Sequence, residues 1–568
     1  MPLLKPLFGI SEICVAHGIK DAVLCPGSRS AALTLAFARN PKISCEVLSD
    51  ERSAGFVAMG MAIQTDTPVV MVCTSGSAAY NFSPAVVEAY FQEVPLIVLT
   101  ADRPPEWINQ YDGQTIFQRD IFGKHVKKSY ELPADYAHPD AQWHIERVVN
   151  EAISLSQKHP KGPVHINVPI REPFYPDANE QYDFNGNVRV VKNPEIKPTL
   201  SNVVWAELLE IWEAAENKII AIGQNSEDLD AELTALDQEE EVIVIADVIS
   251  NVNTEKAIKS HDTFIAKLGE AESEIDLLLT FGKSFISKNL KQFIRKNKPT
   301  HHWHIQNHPD LIDPLQSLTM KIEMDPKEFL RELSETCSIR RMRSADEAEE
   351  SEFKTNWLVA DEKAKIYVDK FLASADFGEL KATQLLLEQL PESSILHLGN
   401  SMPVRYANLF GTKSSKKIQV NANRGTSGID GIVSTSVGQA KKTDKVLTCL
   451  VGDVSFFYDR NAFWNANLPN NLKIVLINNE GGNIFRIIDG PSKQAEVADY
   501  FVGKQTKTAE LLAKENGLEY LKASNEEEMK NALKALYEAN KASILEVFTD
   551  PENDVRIFKD LKNGFSLI

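Results

Sequence analysis

Two short apolar runs in the last third of the chain, each followed at once by a loop of polar residues and glycine, constrain the fold most. The first run covers residues 446–451 and ends just before Asp453, and the second covers 474–477 and ends just before Asn479. A helix-like segment separates the runs, so we predict two strands of one α/β sheet. Both polar loops would then lie at the carboxyl edge of the sheet, where open parallel sheets bind ligands.

The residue types in these loops indicate a magnesium site. A carboxylate, an amide oxygen and a backbone carbonyl are hard oxygen ligands, which suit a Mg²⁺ ion that also binds phosphate oxygens. Gly452, Gly481 and Gly482 would let the backbone approach a diphosphate closely. Either loop alone is also typical of an ordinary strand-ending turn. The two together, each after an apolar run, favour the metal site.

The remainder of the chain repeats the alternation of strand-like and helix-like segments. We therefore predict an α/β protein of three doubly wound, mostly parallel domains, with bounds at 1–180, 200–340 and 355–568. Polar stretches at 172–200 and 340–352 are the predicted linkers. Besides the two runs above, the predicted strands are 21–25, 44–48, 69–73, 95–100, 164–168, 218–223, 242–247, 277–281, 302–306, 395–398, 420–423 and 543–548.

Composition limits the classes of partner. The net charge of −19 argues against a general binder of nucleic acid or of anionic membranes. No apolar run reaches the length of a membrane span, and the amino terminus lacks a secretory leader. The six cysteines form no CxxC pair, which is typical of free thiols in a reducing compartment. We expect a cytoplasmic protein with no integral membrane segment and no nucleic-acid partner.

Charged residues follow several of the predicted strands. Arg29, Glu51 and Arg103 would meet at one edge of the first sheet, and Arg405 and Arg424 follow strands of the third. Guanidinium groups suit bidentate recognition of carboxylates, although a single arginine is more often a surface residue. Glu51 by itself is also typical of the first turn of a helix. Glycines in the middle third do not complete a GxGxxG pattern, so a dinucleotide site there has weak support.

The paired loops resemble the metal motif of thiamine-diphosphate enzymes. On that resemblance the Asp453 carboxylate, the Asn479 side chain and the Gly481 carbonyl hold Mg²⁺, or alternatively Mn²⁺, against the diphosphate. Val454 and Ser455 replace the glycine that often follows the motif's first aspartate, and this change leaves the metal ligands intact. Glu51 would hydrogen-bond N1′ of the cofactor's aminopyrimidine. Members of the family take this glutamate from the partner subunit, so a homodimer or homotetramer is implied.

More motifs, in order along both ends of the chain, resemble one branch of that family, the synthases of the menaquinone pathway. This resemblance implies a transferase that decarboxylates 2-oxoglutarate and adds the succinyl unit to isochorismate. The motifs are PGSRS (26–30), DERSAGF (50–56), TSGSA (74–78), ADRPPE (101–106), GNSMPVR (399–405) and NRGTSGIDG (423–431).

The resemblance also implies roles for individual residues. Arg405 and Arg424 would contact substrate carboxylates near the thiazolium, and Ile429 would hold the cofactor in its bent conformation. Ile484, Phe485 and Ile488 would form an apolar wall, which favours loss of CO₂. The residues expected to hold isochorismate are Ser28, Arg29, Arg103 and Gln114. Lys288 is expected to be a catalytic residue, as the counterpart of a basic residue in the family's middle domain. The residues expected to contact the cofactor are Pro26, Glu51, Ser401, Ile429, Gly452, Asp453, Val454, Ser455, Asn479, Gly481, Gly482, Ile484 and Phe485.

The chain departs from the family pattern at two places. A basic pair expected in the middle domain is Lys288-Asn289 here, and an expected Asn-Gln pair is Gly113-Gln114. Two other hypotheses stay open at this point. An acetolactate-synthase-like enzyme would use pyruvate, which the arginine set favours less. A catalytically silent homologue would be expected to lose Glu51, Asp453 or Asn479, and all three are present.

Overall fold

The computed structural model describes residues 4–176, 182–194, 196–341, 350–465 and 467–567. Three all-parallel sheets flanked by helices form its frame, which confirms the predicted α/β class. We call them the amino-terminal, middle and carboxy-terminal sheets.

The amino-terminal sheet has six described strands in the order β2-β1-β3-β4-β6-β5. Its strands are β1 (Asp21–Leu24), β2 (Ser44–Val47), β3 (Val69–Cys73), β4 (Leu96–Asp102), β5 (Ser129–Glu131) and β6 (Val164–Pro169). The helices of this part are α1 (Lys5–Ala16), α2 (Ala31–Ala38), α3 (Glu51–Thr65), α4 (Ser77–Asn81), α5 (Ser83–Gln92) and α6 (Pro139–Gln157).

The middle sheet has five described strands in the order β11-β10-β9-β7-β8. Its strands are β7 (Lys218–Ile222), β8 (Val242–Ala246), β9 (Leu277–Phe281), β10 (His301–Gln306) and β11 (Met320–Glu323). The helices of this part are α7 (Asn202–Ala214), α8 (Asp230–Leu236), α9 (His261–Phe264), α10 (Lys288–Lys296) and α11 (Pro326–Arg341).

The carboxy-terminal sheet has the order β13-β12-β14-β15-β17-β16. Its strands are β12 (Ile395–Leu398), β13 (Gln419–Ala422), β14 (Leu447–Gly452), β15 (Leu472–Asn478), β16 (Glu519–Ala523) and β17 (Ser543–Phe548). The helices are α12 (Glu352–Ser374), α13 (Glu379–Gln389), α14 (Met402–Phe410), α15 (Ile432–Ala440), α16 (Asp453–Tyr458), α17 (Ile484–Ile487), α18 (Glu510–Glu515), α19 (Glu526–Glu538) and α20 (Pro551–Gly564).

The first and last sheets share one topology. In each, the first strand lies between the second and third, so the strand order reverses beside it. That reversal is the switch point at which open α/β sheets form a ligand crevice. In the carboxy-terminal sheet the switch point lies between β12 and β14, and Asp453, the first residue of α16, directly follows β14.

The chain divides into two compact units that do not follow the sheets alone. One unit holds the described residues of Met1–Glu195, Asn423–Leu447 and Ser455–Leu472, and the other holds those of Ile196–Ala422, Thr448–Val454 and Lys473–Ile568. Helix α15 therefore belongs with the amino-terminal sheet.

Two glycines allow α15 and α3 to cross in the first unit at very close range. A Cβ atom at Gly60 would stand 2.0 Å from the carbonyl oxygen of Thr435, and one at Gly438 would stand 2.0 Å from that of Val57. Only glycine fits at either position. The crossing fixes α3, whose first residue is Glu51.

The predicted linker at 172–200 has no helix or strand among its described residues, but it is packed rather than loose. The Tyr182 ring stacks on Phe8 with centroids 3.6 Å apart, and Asn150 Nδ2 donates to the Arg189 carbonyl at 2.9 Å. Within this linker, residues 177–181 and 195 lie outside the described residues, as do 342–349 of the second predicted linker.

In the middle sheet, backbone atoms fill the crevice at the switch point between β7 and β9. A Cβ atom at Gly223 would stand 2.4 Å from the Lys283 carbonyl oxygen, and the Gln224 amide donates to the Ser284 carbonyl at 3.0 Å. The glycines at this switch point therefore pack backbone against backbone. Their role here is structural, and they make no phosphate cradle.

All six cysteines are free thiols, and all but Cys45 are buried. Burial raises the pKa of the Cys14 thiol to about 12. Among the helices in the described ranges, none combines the length and the apolar character needed to cross a membrane.

Candidate active site

The two loops singled out in the sequence meet in the second unit. Asp453 is 1% exposed, and its carboxylate accepts from the Val454 amide at 2.7 Å and from Gln505 Nε2 at 2.8 Å. The backbone N–H groups of Glu480 and Gly481 lie close enough to the carboxylate to lower its pKa. Burial raises the pKa of Asp453 to about 6, and these hydrogen bonds oppose the rise.

Asn479 is held by a buried carboxyl group behind the loop. Its side chain is nearly inaccessible, and its Nδ2 donates to Glu379 Oε1. Asn479 Oδ1 makes no hydrogen bond to another described residue. Because the N–H₂ end of the amide faces Glu379, the amide oxygen lies on the side away from Glu379.

Gly481, in the loop after β15, has no room for a side chain, whereas Gly452, at the end of β14, has open space beside it. Gly481 has φ of 151°, and a Cβ atom there would stand 2.7 Å from Val502 Cγ1. The Gly482 amide donates to the Val502 carbonyl at 2.6 Å. A Cβ atom at Gly452 would meet nothing within 4 Å. The backbone at Gly452 is thus open to a ligand.

The donor set fits a hard divalent cation. Asp453 supplies a carboxylate, Asn479 an amide oxygen and Gly481 a backbone carbonyl, the ligand types that Mg²⁺ and Mn²⁺ take. Within the described ranges there is no cluster of three or more His, Cys, Asp or Glu side chains suited to a metal. A cation here would accordingly need the amide and backbone oxygens as well as Asp453.

Several predicted site loops contain non-glycine residues with positive φ. Gln114 has φ of 57°, Ser401 72°, Ser427 61° and Glu480 63°. Such conformations cost energy and cluster at functional sites. Ser401 lies at the end of β12, and its carbonyl accepts from Nη1 of Arg405, whose side chain is exposed.

The start of α3 holds Glu51 in the first unit. Asp50 caps the helix by accepting from the Arg52 amide at 2.9 Å, and its other oxygen accepts from Asn461 Nδ2 at 2.7 Å. The half-buried Glu51 carboxyl makes no hydrogen bond to another described residue. It is available to a ligand.

Arg29 is positioned by the segment that follows β6. Its Nη1 donates to the Ile170 carbonyl at 2.8 Å, and its guanidinium lies 4.1 Å from the centroid of the Phe174 ring. Its Nε is buried and has no hydrogen-bond partner in the described part of the chain. Burial, and the neighbouring charge of Arg103, lower the pKa of Arg29.

The loop containing Pro26 and Ser28 lies against the Ser/Gly loop that follows β3. A Cβ atom at Gly27 would stand 2.3 Å from Thr74 Cβ. Pro26 and Ser28 are exposed at the carboxyl edge of the sheet. The close approach explains why glycine separates these two residues.

Arg103 is fixed by three contacts. Its Nε donates to Asp112 at 2.7 Å, Nη1 to Ser75 Oγ at 3.2 Å and Nη2 to the Gly113 carbonyl at 2.6 Å. The loop that contains the exposed Gln114 therefore carries two of the three partners of Arg103. The guanidinium keeps further N–H groups for a ligand.

A second buried acid holds the loop that contains Arg424. Glu88, on α5, is 2% exposed and accepts from the Gly425 and Thr426 amides, each at 2.7 Å, and from Thr426 Oγ1 at 2.6 Å. Ile429, farther along the same loop, is 40% exposed. With this exposure, Ile429 is not a residue of the hydrophobic core.

The remaining predicted residues differ in their surroundings. Ile484 and Phe485 are half-buried, and the Phe485 ring lies 6.0 Å from that of Phe501. Ile488 is 40% exposed, Val454 is half-buried and Ser455 is buried.

Lys288 is exposed at the start of α10, and no described contact joins it to the other predicted residues. Its neighbour Asn289 donates Nδ2 to the Asp262 carbonyl at 3.1 Å. Asn289 thus points into the protein, and it does not supply the cation that the family pattern has there.

Five contributing residues escaped the sequence prediction: Glu88, Asp112, Phe174, Glu379 and Gln505. Four of them act on a predicted residue or motif from a distant part of the chain or from a segment without a motif. Asp112 is the exception, because it lies only nine residues after Arg103 and could have been found from the local sequence.

Comparison with known proteins identifies the enzyme class of the chain. Three family models match in order: "Thiamine pyrophosphate enzyme, N-terminal TPP binding domain" over 8–124, "Middle domain of thiamine pyrophosphate" over 195–398, and "Thiamine pyrophosphate enzyme, C-terminal TPP binding domain" over 401–547. Thiamine diphosphate, the same compound as thiamine pyrophosphate, is the cofactor of this enzyme class.

Curated relatives match along almost the whole chain. A protein of Cytophaga hutchinsonii is 42% identical over 98% of both chains, and one of Flavobacterium johnsoniae is 38% identical over 97% of this chain and 98% of its own. One of Bacteroides thetaiotaomicron is 35% identical over 98% of both. All three have the same name, and the chain therefore belongs to the 2-succinyl-5-enolpyruvyl-6-hydroxy-3-cyclohexene-1-carboxylate synthase family of thiamine-diphosphate-dependent enzymes.

Proposed function

We propose that this chain decarboxylates 2-oxoglutarate and joins the resulting succinyl unit to isochorismate, in menaquinone biosynthesis. The shared name of the relatives supports this, since it describes a product with succinyl and enolpyruvyl groups on a cyclohexene carboxylate. The geometric observation that carries the proposal is the pair of arginines, Arg29 and Arg103, at the carboxyl edge of the amino-terminal sheet.

Mg²⁺, with Mn²⁺ as an alternative, would be held by the Asp453 carboxylate, Asn479 Oδ1 and the Gly481 carbonyl. This is supported by Gln505 Nε2, which donates to both Asp453 and Asn478, and by the orientation of the Asn479 amide. The backbone at Gly452 and Gly482, with Val454, Ser455 and Ser401, would contact the diphosphate. The open space beside Gly452 supports that contact.

Thiamine diphosphate, when bound, supplies a nucleophilic carbon and an electron sink for the decarboxylation. Glu51 would hydrogen-bond the aminopyrimidine ring and control its protonation. Ile429 would support the bent cofactor, with Pro26 near the pyrimidine. Ile484 and Phe485 would exclude water beside the reacting carbon, which favours charge dispersal as CO₂ leaves.

The substrates have several carboxylates between them, and guanidinium groups bind carboxylates in a bidentate manner. Arg29 and Arg103, with Ser28 and Gln114, would hold isochorismate, and Lys288 would be a catalytic residue. The buried Nε of Arg29, which has no hydrogen-bond partner among the described residues, supports a ligand at that position. Arg405 and Arg424 would contact the carboxylate of the donor.

A homodimer or homotetramer with active sites between subunits belongs to the same proposal, with Glu51 serving the cofactor of the partner. It rests on the family resemblance. The domain bounds 1–180, 200–340 and 355–568 and a cytoplasmic location are proposed with it, and the six free thiols support a reducing compartment.

Donor preference tests the proposal against an acetolactate-synthase-like activity. The full-length protein with thiamine diphosphate, Mg²⁺ and isochorismate is given labelled 2-oxoglutarate or labelled pyruvate, and released CO₂ is measured. We expect release from 2-oxoglutarate and little from pyruvate. Release from pyruvate alone would overturn the proposed donor.

A further inference from the structure

A buried carboxyl group behind the predicted metal loop has no place in the function proposed above. Glu379 is the first residue of α13 and is 3% exposed. Its backbone amide donates to Asp554 Oδ1 at 2.8 Å. A Cβ atom at the preceding Gly378 would stand 2.4 Å from that same oxygen, so the start of the helix is tightly fixed.

Two amide groups from the loop after β15 converge on one oxygen of this carboxyl. Asn479 Nδ2 and Asn483 Nδ2 both donate to Glu379 Oε1, the latter at 3.3 Å. Because Oε1 accepts both amides, the arrangement is kept whether or not Oε2 carries a proton.

This arrangement sets the direction of the Asn479 amide. An amide has a donor end and an acceptor end, and only the donor end can face an accepting oxygen. Turning the amide over would place its oxygen against Glu379 and its N–H₂ group toward the cation. Both changes are unfavourable, so Glu379 selects the orientation in which Oδ1 is the ligand.

We propose that Glu379 is a positioning residue for the metal site, which holds the Asn479 amide so that Oδ1 points to the divalent cation. The inference rests on the proposed function, in which Asn479 is a ligand. Partners that orient metal ligands typically contribute about 10- to 100-fold to metal affinity.

The test is a Mn²⁺ titration of the full-length protein with thiamine diphosphate, followed by electron paramagnetic resonance of the free ion. Glu379→Met keeps the length of the side chain and removes the strong acceptor, and we expect Mn²⁺ to bind about 10- to 100-fold more weakly. Glu379→Gln retains an accepting oxygen and should restore most of the affinity. Asp361→Asn removes a buried carboxyl elsewhere in the second unit and should leave Mn²⁺ affinity unchanged.

A double substitution separates positioning from a general structural role. Asn479→Asp has oxygen at both ends, so orientation no longer matters, and Glu379→Met should then have little further effect on Mn²⁺ affinity. An equal loss in both backgrounds would overturn the inference. If Glu379→Met does not fold, Glu379→Asp replaces it, because the shorter side chain withdraws the acceptor and should also weaken Mn²⁺ binding.

Failure of the metal assignment itself would look different. If Asn479→Ala binds Mn²⁺ as the parent does, the assignment of Asn479 as a ligand is wrong. If Asn479→Ala weakens Mn²⁺ binding and Glu379→Met does not, only the positioning role is wrong.

Discussion

Replacing Glu51 should reduce turnover without weakening the binding of thiamine diphosphate. We expect Glu51→Gln to retain thiamine diphosphate, because the proposed diphosphate and metal ligands are untouched. Turnover should fall by about 10²- to 10⁴-fold, the usual contribution of a positioned acid or base. Steady-state rates and cofactor retention after gel filtration measure the two effects.

The control is Glu526→Gln, which changes another first-turn glutamate, on the surface helix α19. Its turnover should equal that of the parent. Unchanged turnover in Glu51→Gln would refute the role assigned to Glu51.

A buried histidine should make the first unit sensitive to acid. His165 is fully buried, and its ring nitrogens lie 2.8 Å from Thr100 Oγ1 and 2.9 Å from Ser129 Oγ. Burial lowers the pKa of His165 to about 3. Below the ordinary pKa of 6.5, the unfolded chain binds a proton that the folded chain does not. Stability present above pH 6.5 is therefore lost as the pH falls toward 3.

His165→Gln removes this titration. Between pH 6.5 and 5 the free energy of unfolding of the parent should fall by about 1 kcal/mol per pH unit more steeply than that of the variant, because the unfolded histidine is half protonated at pH 6.5 and almost fully protonated at pH 5. Denaturant unfolding at a series of pH values measures the slopes. His138→Gln, at an exposed position, should keep the slope of the parent, and equal slopes for all three proteins would contradict the prediction.

Residues that follow buried strands were predictable, and residues that support them were not. Asp453 and Asn479 each stand directly after an apolar run, so their place at the sheet edge followed from local pattern. Glu379 and Glu88 act across the fold on loops far away in the chain. Nothing local distinguishes either from the many acids in first turns and on helix surfaces.

At the scale of elements, the three strands that sequence reasoning missed are all at sheet edges. They are β5, β11 and β16, and each is only partly buried. An edge strand needs one apolar face at most, so it lacks the continuous apolar run that identified the central strands. The predicted central strands were confirmed to within one or two residues at their ends.

The crossing of α3 and α15 gives the element-scale prediction. Gly60→Ala would place a Cβ atom 2.0 Å from the Thr435 carbonyl oxygen, so the helices must separate. We expect the free energy of unfolding to fall by about 1–3 kcal/mol. Chemical denaturation measures it.

Gly113→Ala is the matched control for stability, because a Cβ atom there meets nothing within 4 Å. Its free energy of unfolding should equal that of the parent. A parent-like stability for Gly60→Ala would show that the helices have room to adjust, against the account of the crossing given above.

At the scale of the whole molecule, the alternation of strands and helices predicted three α/β sheets, and the structure confirms them. It did not predict that the first and last sheets share one topology, because topology is kept by strand order and not by repeated residues. The assignment of α15 to the first unit also escaped prediction. It depends on Gly60 and Gly438, which are far apart in the chain. The local sequence does not distinguish them from other small residues in helices.

The most direct test of the whole account is the identity of the product. The full-length protein with thiamine diphosphate and Mg²⁺ is given uniformly ¹³C-labelled 2-oxoglutarate and unlabelled isochorismate, and products are analysed by mass spectrometry. The account predicts labelled CO₂ together with a cyclohexene product that carries a labelled succinyl unit. Labelled CO₂ without label in a ring product would contradict the proposed acceptor, and the absence of both would contradict the proposed reaction as a whole.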